Sequence, residues 1–414
     1  MSPQDYFQGL NGGNYMMDKN TSWLTLPNGI KLEVPYHHSN RLPMLFESNL
    51  QMSTSNYLNF DNIMMTDIHF NVSDERNQNL SASEKEFLHK HRLLAHMNNA
   101  WVSELMHDRK FDDGTGNTTN MPPVIKTKHA TTRSCKHNQL RCAGCLLAKM
   151  KRRPDQASVT TNLKEMTLKE GILHPGELIH VDQYQSSVGG RRNETFGQES
   201  ELDKYKGGTI FCDSSSTYIH INHQESLQTG DTLRGKHSFE SYASQCGVQV
   251  AGYRGDNHIF NSKAYRADCN ELKQILDFCG VGAHHQNGVA ERAIQTVTSW
   301  TRTLLIYAAI HWSSEVDLDL WPLAMDHAVW IWNNTPKHKV GFSPTELFTG
   351  VRSNHANLNR LHVWGCPTYV LEPALQVAGG SIPKWTKRSR LGKFLGYSKV
   401  HSMTIGLIRN VRTS

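Results

Sequence analysis

The sequence predicts an α/β protein in which a mixed β-sheet flanked by helices follows a small helical metal-binding module and precedes a small basic β-rich one. Three observations carry this. After position 178 short apolar runs give way to runs with a helical period, the outline of a sheet covered by helices. Upstream, two histidines and a Cys-x-x-Cys accompany a helical pattern. Downstream, from Gln376 to Ser414, there is no Asp or Glu, while Lys and Arg recur beside aromatic residues.

Length and composition set the bounds. At 414 residues the chain can hold two to three domains, each large enough to bury a core. With 38% hydrophobic and 20% charged residues, no signal pattern and no long apolar run, a soluble intracellular protein is expected. The net charge of +6 says little by itself about a polyanionic partner. Its distribution says more. Lys384, Lys387, Arg388, Arg390, Lys393, Lys399, Arg409 and Arg412 sit beside Trp385, Phe394 and Tyr397, a mixture suited to phosphate contact and base stacking. A solvated surface accounts for the same pattern. Eight cysteines, unevenly spread, are too few for a disulfide framework, so Cys142 and Cys145 point to metal or redox chemistry.

In chain order, residues 1–80 are rich in Asn, Ser, Met and Thr, with one hairpin expected around Asn28-Gly29. Residues 81–153 form the metal-binding module. Ser81 or Ser83 can cap a helix on which Phe87, Leu88, Leu93, Leu94, Met97 and Trp101 recur near helical spacing. The polar stretch 112–138 reads as a loop, and the basic run 149–153 before Pro154 as a linker. The central domain spans 172–350. Strands are expected at 178–181, 209–212, 218–221 and 248–253, helices at 231–246 and 262–275. After Gln286-Asn287-Gly288 comes a long amphipathic helix with Ala290, Ala293, Ile294, Val297, Leu304 and Ala308 on one stripe. A Trp-rich helix covers 318–333, and 185–207 is a polar stretch with no readable element. Residues 361–414 give short strands at 362–371 and 392–397.

Two constellations carry chemistry. His91, His96, Cys142 and Cys145 offer the two nitrogen and two sulfur ligands of a closed, structural Zn²⁺ site. Five residues on a straight helix leave His91 and His96 about 140° apart, so one must sit at a helix end or bend. His89 and His96 share a face but lie about 10.5 Å apart along the axis, too far for one ion. Cys135 and His137 are rival ligands, and buried small cysteines beside surface histidines are the plain alternative.

The second constellation is Asp182, Asp256 and Glu291. Asp182 follows a strand-like run, Asp256 ends another, and Glu291 lies near the start of the long helix, 35 positions beyond Asp256. Three carboxylates from two strands and a helix can hold Mg²⁺ with its waters, and two such ions support in-line attack at a phosphodiester. Asp213, which also ends a strand, can replace Asp182. Asp256 can belong to an ordinary turn, and Glu291 can serve the positive end of its helix.

The order and wording of these segments resemble a known family. Ile179-His180-Val181-Asp182-Gln183, Tyr253-Arg254-Gly255-Asp256-Asn257 and His285-Gln286-Asn287-Gly288-Val289-Ala290-Glu291-Arg292 are similar to the DDE core of Copia-type (Ty1/copia) retrotransposon integrases, within the retroviral-type superfamily. His91-Arg92-Leu93-Leu94-Ala95-His96 and Cys142-Ala143-Gly144-Cys145 resemble that family's pre-integrase HHCC module. Trp332-Asn333-Asn334-Thr335-Pro336, Ser343-Pro344-Thr345-Glu346, Val363-Trp364-Gly365-Cys366 and the run from Arg388 to Tyr397 add further signposts, so the resemblance covers roughly residues 85–414. Ala95 stands where the family usually has Gly, and the His and Cys pairs are far apart.

The resemblance implies an RNase H-like central sheet and a polynucleotidyl transferase that trims element DNA ends and joins them to target DNA. It implies Asp182, Asp256 and Glu291 as ligands of two Mg²⁺ or Mn²⁺ ions, and Zn²⁺ on His91, His96, Cys142 and Cys145. DNA contact is expected from His284, His285, Gln286, Asn287 and Arg292, and from Lys384, Lys387, Arg388, Arg390 and Lys393 in a basic module that looks truncated. The implied partners are double-stranded element ends, target DNA and further copies of the chain, without a membrane. The implied setting is a cytoplasmic particle, then the nucleus. No protease or polymerase motif is found, as expected of a piece of a longer Gag-Pol polyprotein. A catalytically silent DNA-binding descendant and an RNase H nuclease are the rival readings.

Overall fold

The computed structural model describes residues 14–17, 22–25, 31–34, 79–112, 118–137, 140–150, 173–192, 203–278, 287–312, 317–337, 340–399 and 405–410. Two compact units are present, Met1–Leu58 and Asn59–Ser414. In the first, β1 (Asn14–Met17), β2 (Ser22–Thr25) and β3 (Lys31–Val34) form a three-stranded antiparallel sheet. Thr25 pairs with Lys31, as the expected hairpin requires; its Asn28-Gly29 turn lies outside the described residues.

The second unit opens with α1 (Ala82–Leu93), and of the two serines it is Ser81 that caps it. Ser81 Oγ accepts from Glu84 N at 3.3 Å and Glu84 Oε2 accepts from Ser81 N at 2.8 Å, a reciprocal capping box. Asn98 caps α2 (Asn99–Leu105). Within the stretch read as a loop, β4 (Arg109–Asp112) and β5 (Thr118–Met121) pair antiparallel before α3 (Ala143–Lys149). That ribbon has no apolar alternation to announce it, because local backbone pairing is what makes it.

The central sheet contains β6 (Ile179–Gly190), β7 (Tyr205–Asp213) and β8 (Ile219–Gln224), followed by α4 (Thr229–Gln245), β9 (Gly252–Gly255), α5 (Lys263–Glu271) and β10 (Ile275–Phe278). Its strand order is β10-β9-β6-β7-β8. The first three strands form an antiparallel meander, and β9 and β10 return parallel to β6. This is the RNase H-like arrangement. Three details differ from expectation. Strand β6 runs on to Gly190, absorbing the start of the polar stretch through a register shift between Gln185 and Gly190. The strand expected at 248–253 lies at Gly252–Gly255. The helix expected to reach 275 stops at Glu271, Lys273 turns left-handed (φ 55°), and Ile275 starts an edge strand.

Beyond the sheet come α6 (Gly288–His311), α7 (Trp321–Asn334) and α8 (Pro344–Thr349). Next are β11 (Pro367–Leu371), α9 (Pro373–Gln376), β12 (Ser389–Tyr397) and β13 (Gly406–Asn410), whose strands make a second antiparallel sheet. Among the described residues no helix is long and apolar enough to cross a membrane.

Alternation along the strands divides the interior. Ile179, Val181, Phe211 and Tyr253 face Phe239 of α4 and Tyr265 of α5. On the other face Tyr184, Ile210, Ile219 and Ile221 meet α6 through Ala290, Val297 and Leu304, and α7 through Ala324 and Ala328. That second core continues unbroken into Leu88, Met97 and Val102 of the N-terminal helices and Trp364 and Leu395 of the C-terminal sheet. The three stretches thus share one interior. Trp101 adds a polar link, donating Nε1–H to Pro336 O at 2.9 Å.

Two histidines inside this framework make stability depend on pH. Burial lowers His220 to about 3 and His327 to about 4. Unfolding returns both to about 6.5, so below that pH the unfolded chain binds more protons than the folded one. Their contribution is complete above pH 6.5 and is lost as pH falls towards 4. The urea midpoint should therefore be lower at pH 4.5 than at pH 7.5, and a flat profile across that window would contradict the lowered pKa of both rings.

Candidate functional site: a His/Cys cluster and an acidic sheet edge

The H-x4-H spacing closes because the helix ends inside it. Helix α1 stops at Leu93, and Ala95 (φ 50°) and His96 (φ 57°) turn left-handed, swinging His96 back towards His91. Left-handed backbone favours glycine, yet here Ala95 holds that conformation, fully buried. Cys142 is the residue before α3 and Cys145 lies in its first turn. His96 Nδ1 is 3.3 Å from Cys142 Sγ, and His91 Nε2 is 3.3 Å from Cys145 Sγ. All four donor atoms lie within 4.8 Å of one another. Tetrahedral Zn²⁺, with bonds of about 2.0 Å to nitrogen and 2.3 Å to sulfur, spaces its ligands by roughly 3.5 Å, so the set fits the ion.

The surroundings also suit a metal. His91 donates Nδ1–H to Met97 O at 2.8 Å, which leaves Nε2 unprotonated and aimed at the cluster. Burial lowers His96 to about 4, keeping it neutral. The Cys145 thiol, hydrogen-bonded to Cys142, pushes Cys142 well down towards thiolate, and is itself pushed up by the same bond. Neither His89, Cys135 nor His137 joins the group; His137 stacks on Phe87 instead. Helix α3 lies so close to α6 that a Cβ on Gly144 would meet Tyr307 Cβ at 3.0 Å, and the Tyr307 ring is 4.7 Å from that of His96. The cluster is therefore braced against the helix that carries Glu291.

Asp182 lies on β6, Asp256 just past β9 and Glu291 in the first turn of α6. Ile179 pairs with Tyr253 and His180 with Arg254, each strand reaching its Asp two residues after the last of these pairs. The strands are close there, since a Cβ on Gly255 would meet Val181 Cγ2 at 3.0 Å. Asn287, 3% exposed, donates Nδ2–H to Val181 O at 2.9 Å and so ties the start of α6 to the residue before Asp182. Glu291 follows one helical turn later. All three carboxylates are partly exposed. Asp182 Oδ1 accepts from Gln183 N at 2.8 Å, and Asp256 Oδ1 from His258 N at 3.3 Å.

Among the described residues, only the His/Cys set brings three or more such donor atoms within 4.8 Å of one another. Asp182, Asp256 and Glu291 do not form such a group. Asp213 is not a substitute. Buried, it accepts from Gly176 N at 2.8 Å and from Ser216 N and Oγ at 2.7 and 2.6 Å, and is consumed by its turn.

Two expected DNA contacts are corrected. Asn287 is a buried tether, and Lys393, 5% exposed, donates Nζ–H to Trp312 O at 2.8 Å. Lys384, Lys387, Arg388 and Arg292 are exposed, and Arg390 is half-buried. His284, His285 and Gln286 lie outside the described residues. His180, two residues before Asp182 on the same strand face, carries no sequence signal. It is buried, which lowers its pKa, and the nearby Arg254 guanidinium lowers it further. Asn287→Ala should leave the buried Val181 carbonyl without its partner, a loss of about 1–3 kcal/mol, read as a lower thermal midpoint. An unchanged midpoint would show that the tether bears no load.

No protein-family model matches the sequence, and no curated protein matches it. Solved structures that align with part of the chain include the HTLV-2 integrase catalytic core domain in complex with magnesium. Its trimeric form is 13% identical with a TM-score of 0.31, covering 42% of this chain and 98% of that one. Its dimeric form is 14% identical with a TM-score of 0.31, covering 43% and 99%. A third is the simian T-cell lymphotropic virus intasome in complex with PP2A regulatory subunit B56 gamma, 12% identical with a TM-score of 0.33, covering 59% and 79%.

Proposed function

We propose that the chain is the integrase segment of a Copia-type retrotransposon polyprotein, trimming element DNA ends and transferring the freed 3′-hydroxyls to target phosphodiesters. What supports this reading is the parallel pairing of β6, which carries Asp182, with β9, which ends just before Asp256, together with the Asn287 bond that ties the start of the Glu291 helix to Val181. Asp182, Asp256 and Glu291 are the residues that would hold two Mg²⁺ or Mn²⁺ ions, which when bound activate the attacking oxygen and stabilise the departing one. The protein's own part is positioning. Asn287 keeps the Glu291 helix in register with the Asp182 strand, and Arg292 offers a charged hydrogen-bond donor to a phosphate beside them. In the turn before β12 Trp385 is 90% exposed with Lys384 Nζ 5.2 Å from its ring centre, a surface suited to backbone contact and stacking. His91, His96, Cys142 and Cys145 would hold a structural zinc.

The test is a joining assay with full-length protein, oligonucleotides copying the element's ends, plasmid target and added Mg²⁺ or Mn²⁺. Joined product is expected. Folded, zinc-loaded protein that binds DNA in a salt-sensitive way yet never joins it would favour the silent DNA-binding alternative, and cleavage confined to RNA–DNA hybrids would favour the nuclease. Joining paired ends calls for more than one protomer, so product should track an oligomeric fraction in size-exclusion chromatography.

A further inference from the structure

At the β8 edge of the sheet, opposite the β10 edge, a cavity of about 510 Å³ opens between α4, α7 and the end of β12. Its strand lies two spacings, roughly 10 Å, from that of Asp182. Tyr242, Trp330 and Tyr397 supply aromatic wall. The polar groups that reach the cavity are incompletely used. Tyr184 OH donates to His223 Nδ1 at 2.7 Å, so His223 Nε2–H donates to Asp326 Oδ1 at 3.0 Å. Lys399 Nζ approaches the same oxygen at 2.6 Å. Both contacts land on Oδ1 of Asp326, which lines the cavity. His327 is 3% exposed and its Nδ1 has no hydrogen-bond partner. His220, on the cavity wall, makes ring contacts with Phe211, Phe239 and Tyr242 but no hydrogen bond among the described residues. A few polar side chains converging on one aromatic-walled cavity are the usual make-up of a ligand site.

The chemistry of these groups selects the ligand. A simple cation gains little, because Lys399 already balances Asp326. An anion meets the carboxylate, and an aliphatic group leaves the imidazole nitrogens unsatisfied. A flat neutral ring with an amino group and an unprotonated ring nitrogen suits all of them: the amino group donates to the Asp326 carboxylate, the ring nitrogen accepts from a neutral imidazole N–H, and the faces stack on tyrosine or tryptophan. Lys399 lines the cavity with its side chain 53% exposed, a cation open to a phosphate attached to such a ring. We propose that this cavity binds a nucleotide with an amino-bearing base, adenine or cytosine, either free or unstacked from a strand. Choosing a nucleotide among amino-bearing rings rests on the nucleic-acid reading above.

Isothermal titration of the wild-type full chain, without added Mg²⁺, tests this apart from any joining. AMP and CMP should bind saturably, with IMP and UMP at least roughly tenfold weaker, as the loss of a hydrogen bond to a charged group implies. Asp326→Asn should level the four affinities. Ser241→Trp, on an exposed position of α4 at the cavity wall, should abolish binding while the thermal midpoint stays put. Tighter binding of a short single-stranded dA oligonucleotide than of AMP would identify a strand as the source, and the reverse order a free nucleotide. Absence of saturable binding at millimolar AMP and CMP, equal affinity for all four nucleotides, or binding indifferent to Ser241→Trp would each overturn the proposal. Joining activity without nucleotide binding would sink this inference alone; nucleotide binding without joining would sink only the integrase reading.

Discussion

Asp256→Asn protein is expected to bind DNA as tightly as wild type and to join none of it. Asparagine keeps the shape of the side chain and its hydrogen-bonding oxygen but removes the negative charge that a divalent ion requires. Asp256 sits just past β9, partly exposed, and its one described bond is from His258 N at 3.3 Å, so little of the fold depends on it. The loss should be at least about a thousandfold, which is ~4 kcal/mol of transition-state stabilisation. Asp182→Asn and Glu291→Gln should behave alike, and pairs of these changes should lose little more than one, because the residues act as a unit. Asp213→Asn makes the contrast. It should lower the thermal midpoint by disturbing a turn held by three bonds, and leave turnover per folded molecule intact. Retained joining by Asp256→Asn would remove the metal assignment, and with it the enzymatic reading.

The second large effect belongs to zinc. Wild-type protein should carry one zinc ion per chain by elemental analysis, and Cys145→Ser should carry far less. Structural zinc in small modules is worth on the order of 10 kcal/mol of folding free energy, so the substitution should cost the helical module its cooperative melt. Circular dichroism would register this as helical signal lost at lower temperature, and strong chelators should reproduce it in wild type. The damage should spread. Tyr307 of α6 touches both Gly144 and the His96 ring, and α6 begins with the residues that present Glu291, so joining should fall along with the zinc content. Full zinc content in Cys145→Ser, or a melt indifferent to chelation, would contradict the cluster's structural role.

The sequence conveyed the elements whose signals are local. The Ser81 cap with Glu84, the stripe on α6 and the start of α7 follow from capping chemistry and helical period, which neighbouring residues settle among themselves. It missed β10, whose parallel partner comes through backbone pairing across a helix, and β13, a five-residue strand at the rim of the C-terminal sheet. Residues 185–190 were illegible for a similar reason: their membership of β6 depends on β7, beyond an intervening stretch. Position along the chain also misjudged two polar side chains. Asn287 and Lys393 lie in motifs suggestive of DNA contact, yet each is turned inward to a backbone carbonyl.

By itself the sequence determined which chemistry was on offer: two imidazoles with two thiols, three acids in order, and a basic tail free of acids. Residue type and spacing are enough for that, since ligand preference is a property of the side chain. The tertiary structure decided which of these groups meet. It chose His91 and His96 over His89, Cys135 and His137 by bending the backbone at Ala95, and it withdrew Asp213 into a turn. It also opened a cavity beside β8 lined by His220, Asp326 and His327, which no linear pattern announces. Convergence of distant residues depends on register and packing, and those are set by long-range contacts in which no single segment carries the information.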